Sequence, residues 1–377
     1  MKDISFDYYR DRLLAGFDGK MCKVIPHIMC DGGDNAYMFY TMLNLSGSDV
    51  FHDTCVCASH DGGRTFGEPR VVPTVEYTEN GIRTIWCYSA LHYHRKTGKW
   101  LCFGQTQHYK DDKHPIVTNG ISHNEPYLVM FDPDSMSFGE LIPIPFPVRT
   151  LGIVPHGQII EYENGELLVS FYYTTLDCTR AIARTVRYAF DGQSLTMVKA
   201  GEPLVADESH VRGYCEPSVA TFDGKYYMTI RTDEQGLLAV SEDGYTFSAP
   251  QPWRYDDGSI LPNYNTQHRW VRFADGLFLV YTRRGAHNDH VFRHRAPLFM
   301  ARFDEDRQCL IRKSEIIAVP EMGARLGNFG VVDVNGREAW ISVAEWMQSN
   351  ASGPDQWKMC AQYGSDNAIW RTRIVQK

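Results

Sequence analysis

Three histidines, one glutamate and a group of arginines carry the chemistry this chain can do. His27, His156 and His268 titrate near neutrality and suit general acid or base work. Glu216 can act as a general base or activate a nucleophile. Arg231, Arg283, Arg284 and Arg295 can grip a carboxylate through two parallel hydrogen bonds. Tyr172, Gln105 and Asn328 add uncharged groups that suit sugar hydroxyls. Together these residues predict a pocket for an acidic sugar.

The spacing says how they are positioned. His27, Ser89, His156, Glu216, His268 and Asn328 run from 27 to 328 in five steps of about 60 residues. Each opens an apolar strand, and a Gly turn follows the last five at Gly98, Gly165, Gly224, Gly276 and Gly336, and the first, more loosely, at Gly32-Gly33. Aromatic-rich second strands come next, such as Leu167–Tyr173, 226–231 and 277–283. A third strand then ends at an Asp turn: Asp61, Asp134, Asp191, Asp243 and Asp304. This period predicts an all-β, six-bladed β-propeller of four-stranded antiparallel blades. Residues 1–377 form a single propeller in this reading, with the N-terminal segment supplying the last blade's fourth strand. Phe6 to Leu14, apolar at 6, 9, 13 and 14, reads as a short helix. In a propeller the innermost strands line the axis, so the six periodic residues are expected to face one funnel. The long loops 110–124 and 286–294 are expected at its mouth. If the propeller only binds sugar without catalysis, Trp86, Trp270, Tyr264 and Trp346 at that mouth are expected to be its stacking platform.

Two stretches fix the family resemblance. Ser59-His60-Asp61-Gly62-Gly63-Arg64-Thr65-Phe66 and Ser241-Glu242-Asp243-Gly244-Tyr245-Thr246-Phe247 both spell a Ser-x-Asp turn closed by Thr-Phe. The chain resembles the sialidase (neuraminidase) superfamily, whose Asp-box, or BNR, repeats decorate a six-bladed propeller. Asp61 and Asp243 are then turn residues that do no chemistry. The resemblance implies that Glu216-Pro217-Ser218, with Arg231 fifteen residues later, holds the catalytic Glu and a carboxylate-binding Arg. It further implies that Arg295-Ala296-Pro297-Leu298 holds the third Arg and that Glu345 is a supporting carboxylate.

The chain departs from that pattern in three places. Val24-Ile25-Pro26 stands where the family has Arg-Ile-Pro, with Lys23 one residue away. Asn328 or Phe329 stands where the family keeps its Tyr nucleophile. Asp49 and Asp53 are the nearest carboxylates to the acid/base position. The expectation is a sialidase-like glycoside hydrolase for a uronate or ulosonate sugar, not an ordinary sialidase. One alternative is a polysaccharide lyase with a His or Tyr base and an Arg clamp, for which His268 and His287 are spaced like a paired-histidine site. Another is a non-catalytic carbohydrate-binding propeller.

Composition narrows the partners. A net charge of −8 without a basic run argues against nucleic acid. No run of 18 apolar residues predicts a membrane span. The N-terminal segment lacks the apolar stretch of a signal peptide, which places a chain that starts natively at Met1 in the cytoplasm. Ten cysteines without a C-x-x-C pair read as reduced thiols, and no cofactor or structural metal is expected. His287, Asp289, His290 and His294 crowd one loop, and this is read as a solvated segment.

Overall fold

The computed structural model describes residues 5–45, 49–74, 76–111, 114–118, 121–351, 353 and 355–377. The first four residues of the N-terminal segment and parts of the 110–124 loop lie outside this set. The chain folds as a six-bladed β-propeller with a single short α-helix among the described residues, Trp357–Gln362. The third blade shows the plan: Gly152–Glu161, Leu167–Thr174, Ile182–Phe190 and Leu195–Ala200 pair in sequence order. In the fourth, Cys215–Phe222, Lys225–Arg231, Gly236–Ser241 and Gln251–Pro252 do the same. Blade two is larger, because the hairpin strand Glu76–Glu79 pairs with the inner edge of Ile82–His94.

The strand Phe6–Leu14 corrects the helical reading of that segment. It pairs antiparallel with Ile369–Gln376 at the outer edge of the sixth blade. Phe6 and Tyr8 pack on the core of the fifth and sixth blades, an alternation of period two. Nine residues are too few to separate the two periods by pattern alone.

Two compact units divide the chain. One holds Met1–Ser46, Cys55–Pro69 and Pro252–Lys377; the other holds Gly47–Thr54 and Arg70–Gln251. Each has apolar cores between neighbouring blades. In the first unit, Val271, Phe278, Leu298, Ile341 and Ile374 fill one such space. In the second, Leu101, Phe103, Val169, Phe171 and Tyr188 fill another. Serines stitch inner strands together. Ser170 Oγ donates to the Pro217 carbonyl at 3.1 Å and Ser342 Oγ to the Pro26 carbonyl at 2.7 Å.

The Ser-x-Asp turns are built as their residue types require. Asp61 accepts from Ser59 Oγ at 2.8 Å, Thr65 N at 3.0 Å and Thr65 Oγ1 at 2.6 Å. Asp243 accepts from Ser241 Oγ, Tyr245 N and Thr246 N at 2.8 to 2.9 Å. The Thr65 hydroxyl foremost, with its amide, holds the Asp61 carboxyl well below the usual range. A Cβ on Gly63 would lie 2.1 Å from the Trp340 ring, so only glycine fits under that indole. In the second blade the turn is held by Asp132, which takes Asp134 N and Ser135 Oγ, rather than by Asp134.

Candidate functional site

The second unit assembles a carboxylate, a guanidinium, a phenol and an imidazole at one end of its blades. Cys215 pairs with Arg231 and Ser218 with Thr229, which leaves Glu216 and Pro217 opposite one residue in a β-bulge. Pro217 has no N–H to give the ladder, so the bulge suits it. Glu216 sits at φ 47, a left-handed backbone that a non-glycine side chain adopts at a cost. The bulge aims its carboxylate at Arg231, whose Nη1 donates to Oε1 at 2.7 Å. Arg231 is only 7% exposed. Burial opposes its charge, but the Glu216 carboxylate outweighs burial and the guanidinium is held more firmly protonated than usual.

His156 joins this pair to Tyr172. Its Nδ1 donates to the Pro217 carbonyl at 3.4 Å, and its ring meets the Tyr172 ring edge-on at 6.0 Å. A donating Nδ1–H leaves Nε2 with the lone pair. Burial first, then the fields of Glu216 and Cys215, raises the Tyr172 phenol well above its ordinary value. Asp49 is exposed and lies in this same unit. Gln105 is buried across from Cys87, and its Oε1 has no hydrogen-bond partner among the described residues.

Bulges also correct the expected phase. In the first blade Val24 pairs with Thr41 and His27 with Phe39, leaving Ile25 and Pro26 in the bulge. Ile25, at φ 53, therefore stands where Glu216 stands, and buried His27 matches Ser218. Both strands bulge at the same X-Pro step, and the period of about 60 residues, which is only approximate, puts His27 in phase with Glu216 although it lies two places beyond.

The first unit uses its polar residues differently. His268 is buried and takes a hydrogen bond from Asn263 Nδ2 on Nε2 at 2.7 Å. Arg283 meets Glu315 through Nε at 3.0 Å and Nη2 at 2.5 Å, and Tyr255 and Tyr281 donate to the same carboxylate. That network, which the sequence reading missed, occupies the guanidinium expected to clamp a ligand. Arg284 is exposed and stacks on Tyr264 at 3.8 Å. Arg295 is buried, with Nε and Nη2 on the Asn265 carbonyl. Asn328 is partly buried at φ 57. Glu345 accepts from Asp366 N, Ala368 N and Trp370 Nε1, so its carboxylate fastens the final strand.

Three of the four expected stacking aromatics are core residues. Trp86 packs on Phe138, Trp270 on Trp253 and Phe303, and Trp346 lies under Arg325. His287 is exposed while His268 is buried. His290 pairs with Glu321 and His294 with Asp289, and no group of three metal-ligating side chains occurs among the described residues. None of the ten cysteines is in a disulfide. No helix among the described residues is long and apolar enough to cross a membrane.

No protein-family model matches the chain, and no curated protein matches it in sequence. Solved structures do. A protein of unknown function from Dyadobacter fermentans superposes with a TM-score of 0.64 at 15% identity, over 98% of this chain and 99% of that one. Trypanosoma rangeli sialidase gives 0.64 at 14% identity over 97% of this chain, which spans 59% of the sialidase's length. NanB sialidase of Streptococcus pneumoniae gives 0.62 at 10%, over 97% and 69%. The sialidase fold is therefore the architecture this chain is similar to.

Proposed function

We propose that the chain is a glycosidase-like enzyme for a carboxylated sugar, a uronate or ulosonate, and that its reacting groups lie in the second unit. The observation that carries this reading is the buried Glu216–Arg231 pair, held on a strained bulge beside Tyr172. Strained backbone and perturbed ionisable groups gather where chemistry is done. The sialidase architecture of the solved neighbours supports it.

The roles follow from the chemistry of each group. Arg231 anchors the sugar carboxylate through its guanidinium. Glu216 accepts a proton from the attacking group, either the Tyr172 phenol or a water. The raised Tyr172 phenol stays protonated at neutral pH until that transfer occurs. Asp49, an exposed carboxylate of the same unit, is assigned the protonation of the leaving oxygen.

Aryl glycosides of uronic and ulosonic acids test the reading. Release of the aryl group by the wild type, lost in Glu216→Gln and Arg231→Ala at unchanged circular dichroism, is expected. Equal turnover in both variants would sink the assignment. The His156–Tyr172 contact favours one second reading, an eliminating lyase in which His156 Nε2 takes the proton beside the carboxylate. An unsaturated uronate product, seen by its ultraviolet absorbance, would select it.

A further inference from the structure

Outside the site just described, the first unit carries three side chains in series, Tyr264, His294 and Asp289. The Tyr264 hydroxyl meets His294 Nδ1 at 2.6 Å, and His294 Nε2 meets Asp289 Oδ1 at 3.2 Å. A carboxylate only accepts, so the neutral ring carries its proton on Nε2 and keeps the lone pair on Nδ1. The Tyr264 hydroxyl is then the donor. That order, hydroxyl to imidazole to carboxylate, is the arrangement that activates an oxygen nucleophile. Arg284 lies over the Tyr264 ring at 3.8 Å, so its cation faces the ring that gains negative charge as the proton leaves.

The surroundings hold this series in place. Asn263, just before Tyr264, donates to buried His268 at 2.7 Å, and the Asn265 carbonyl, just after it, accepts from Arg295 Nε at 3.0 Å. Fully buried Asn288 donates its amide to the Arg283, His294 and Ala296 carbonyls at 2.9, 3.3 and 2.6 Å, which fixes both ends of the loop that bears His294. Arg293 and His294 follow one another at φ 53 and 52, strained backbone of the kind stored at functional sites. Tyr264 and His294 are partly exposed and Arg284 and Asp289 exposed, so a large substrate can reach the hydroxyl.

We infer that Tyr264 is the nucleophile of a second reactive centre, an esterase centre for a short acyl group on a large alcohol, a saccharide included. Tyr264 Oη attacks the acyl carbonyl carbon while His294 Nδ1 takes the phenolic proton, and the Arg284 guanidinium stabilises the oxyanion. Collapse breaks the bond to the alcohol, which leaves with the proton from His294. Water, deprotonated by the same imidazole, then frees the acyl group as a carboxylic acid and restores the phenol. Asp289 positions the imidazole. This centre is independent of the acidic-sugar reading and of Glu216.

The test mixes the full chain with 4-nitrophenyl acetate, follows release of 4-nitrophenolate and maps the acid-quenched chain by mass spectrometry. A burst of about one equivalent per chain is expected, with the acetyl group on Tyr264 alone among 21 tyrosines. Tyr264→Phe keeps the ring under Arg284 and should abolish the burst. His294→Gln keeps a hydrogen-bond partner for the hydroxyl and should slow the burst about a hundredfold, the scale of a lost general base. Both variants should match the wild type in circular dichroism and unfolding midpoint. Asp289→Asn should lower kcat about tenfold at unchanged KM, a smaller loss than a buried orienting carboxylate gives because Asp289 is exposed. Acetate release from an O-acetylated polysaccharide should depend on Tyr264 in the same way. No burst in the wild type, acetyl groups only on other residues, a full burst in Tyr264→Phe, or no acetate from the polysaccharide would overturn the proposal.

Discussion

Two arginine–glutamate pairs, one in each unit, sit at or just past the ends of second strands, and they are built to opposite ends. Around Glu315 every bond is a tether: two N–H donors from Arg283 and two phenols, from Tyr255 and Tyr281. Burial pushes the Glu315 carboxyl up, but Arg283 and the phenols outweigh it and the group ends below its ordinary value. Glu216 meets Arg231 from a left-handed backbone, with the His156 imidazole on the adjoining Pro217 carbonyl and the Tyr172 phenol ring against that imidazole. Saturated networks rigidify a fold; a strained pair among titratable neighbours is poised for reaction. Sequence places both arginines at corresponding points of the repeat, so only their partners tell them apart.

The comparison breaks first on turnover. Glu216→Gln and Arg231→Ala should each lower kcat/KM on an acidic aryl glycoside by about a thousandfold or more, the scale of losing a catalytic group. Arg283→Ala should leave turnover per folded molecule unchanged. An equal loss in Arg283→Ala would make the two pairs functionally alike. On stability the order reverses. Arg283→Ala strands a half-buried carboxylate and should cost about 3 kcal/mol by urea unfolding, at the low end for a broken buried pair.

The fold was legible because its signals are local and repeated. The Ser-x-Asp turns, the Gly turns and the alternating strands each follow from residue type, and their period sets six blades. Phe6–Leu14 was not, since a nine-residue edge strand carries too little pattern. The site was legible only as residue types. Glu216 and Arg231 stand out fifteen residues apart, but the bulge that aims Glu216 follows from strand register, and so does the match of Ile25, rather than His27, to its place. Glu315, Asn263 and Asn265 went unseen because each lies far from any motif and gains meaning only from the arginine or histidine it meets.

Acid sharpens the contrast next. Glu315 is held below its ordinary 4.5, and Glu161 is held at about 2. Burial opposes the Glu161 shift, but its bonds to His92 and to the Arg95 and Lys96 amides overcome it. A carboxyl depressed in the folded state binds protons more tightly once unfolded, so its contribution is complete above 4.5 and fades as pH falls toward 2. Urea midpoints should therefore decline through that window. Glu315→Gln and Glu161→Gln should each flatten the decline. A decline of unchanged slope in both variants would mean that these carboxyls do not set the acid limit.

The smallest expected effect is the most discriminating, because it removes one oxygen from each of two tyrosines. Tyr255 donates to Glu315 Oε2 at 2.7 Å and carries the Arg312 guanidinium over its ring at 3.9 Å. Phenylalanine keeps the ring and its cation, and Glu315 keeps its three other donors. Tyr255→Phe should then cost only about 1 kcal/mol, the net worth of one hydrogen bond in a network that can compensate. Turnover should not change. Tyr172→Phe removes the same atom beside Glu216. If that phenol is the attacking group or passes the proton, turnover should fall about a hundredfold or more while the unfolding midpoint stays put. A stability loss at Tyr172 with full turnover would place it with Tyr255 among the tethers, and the attacking group would then have to be water.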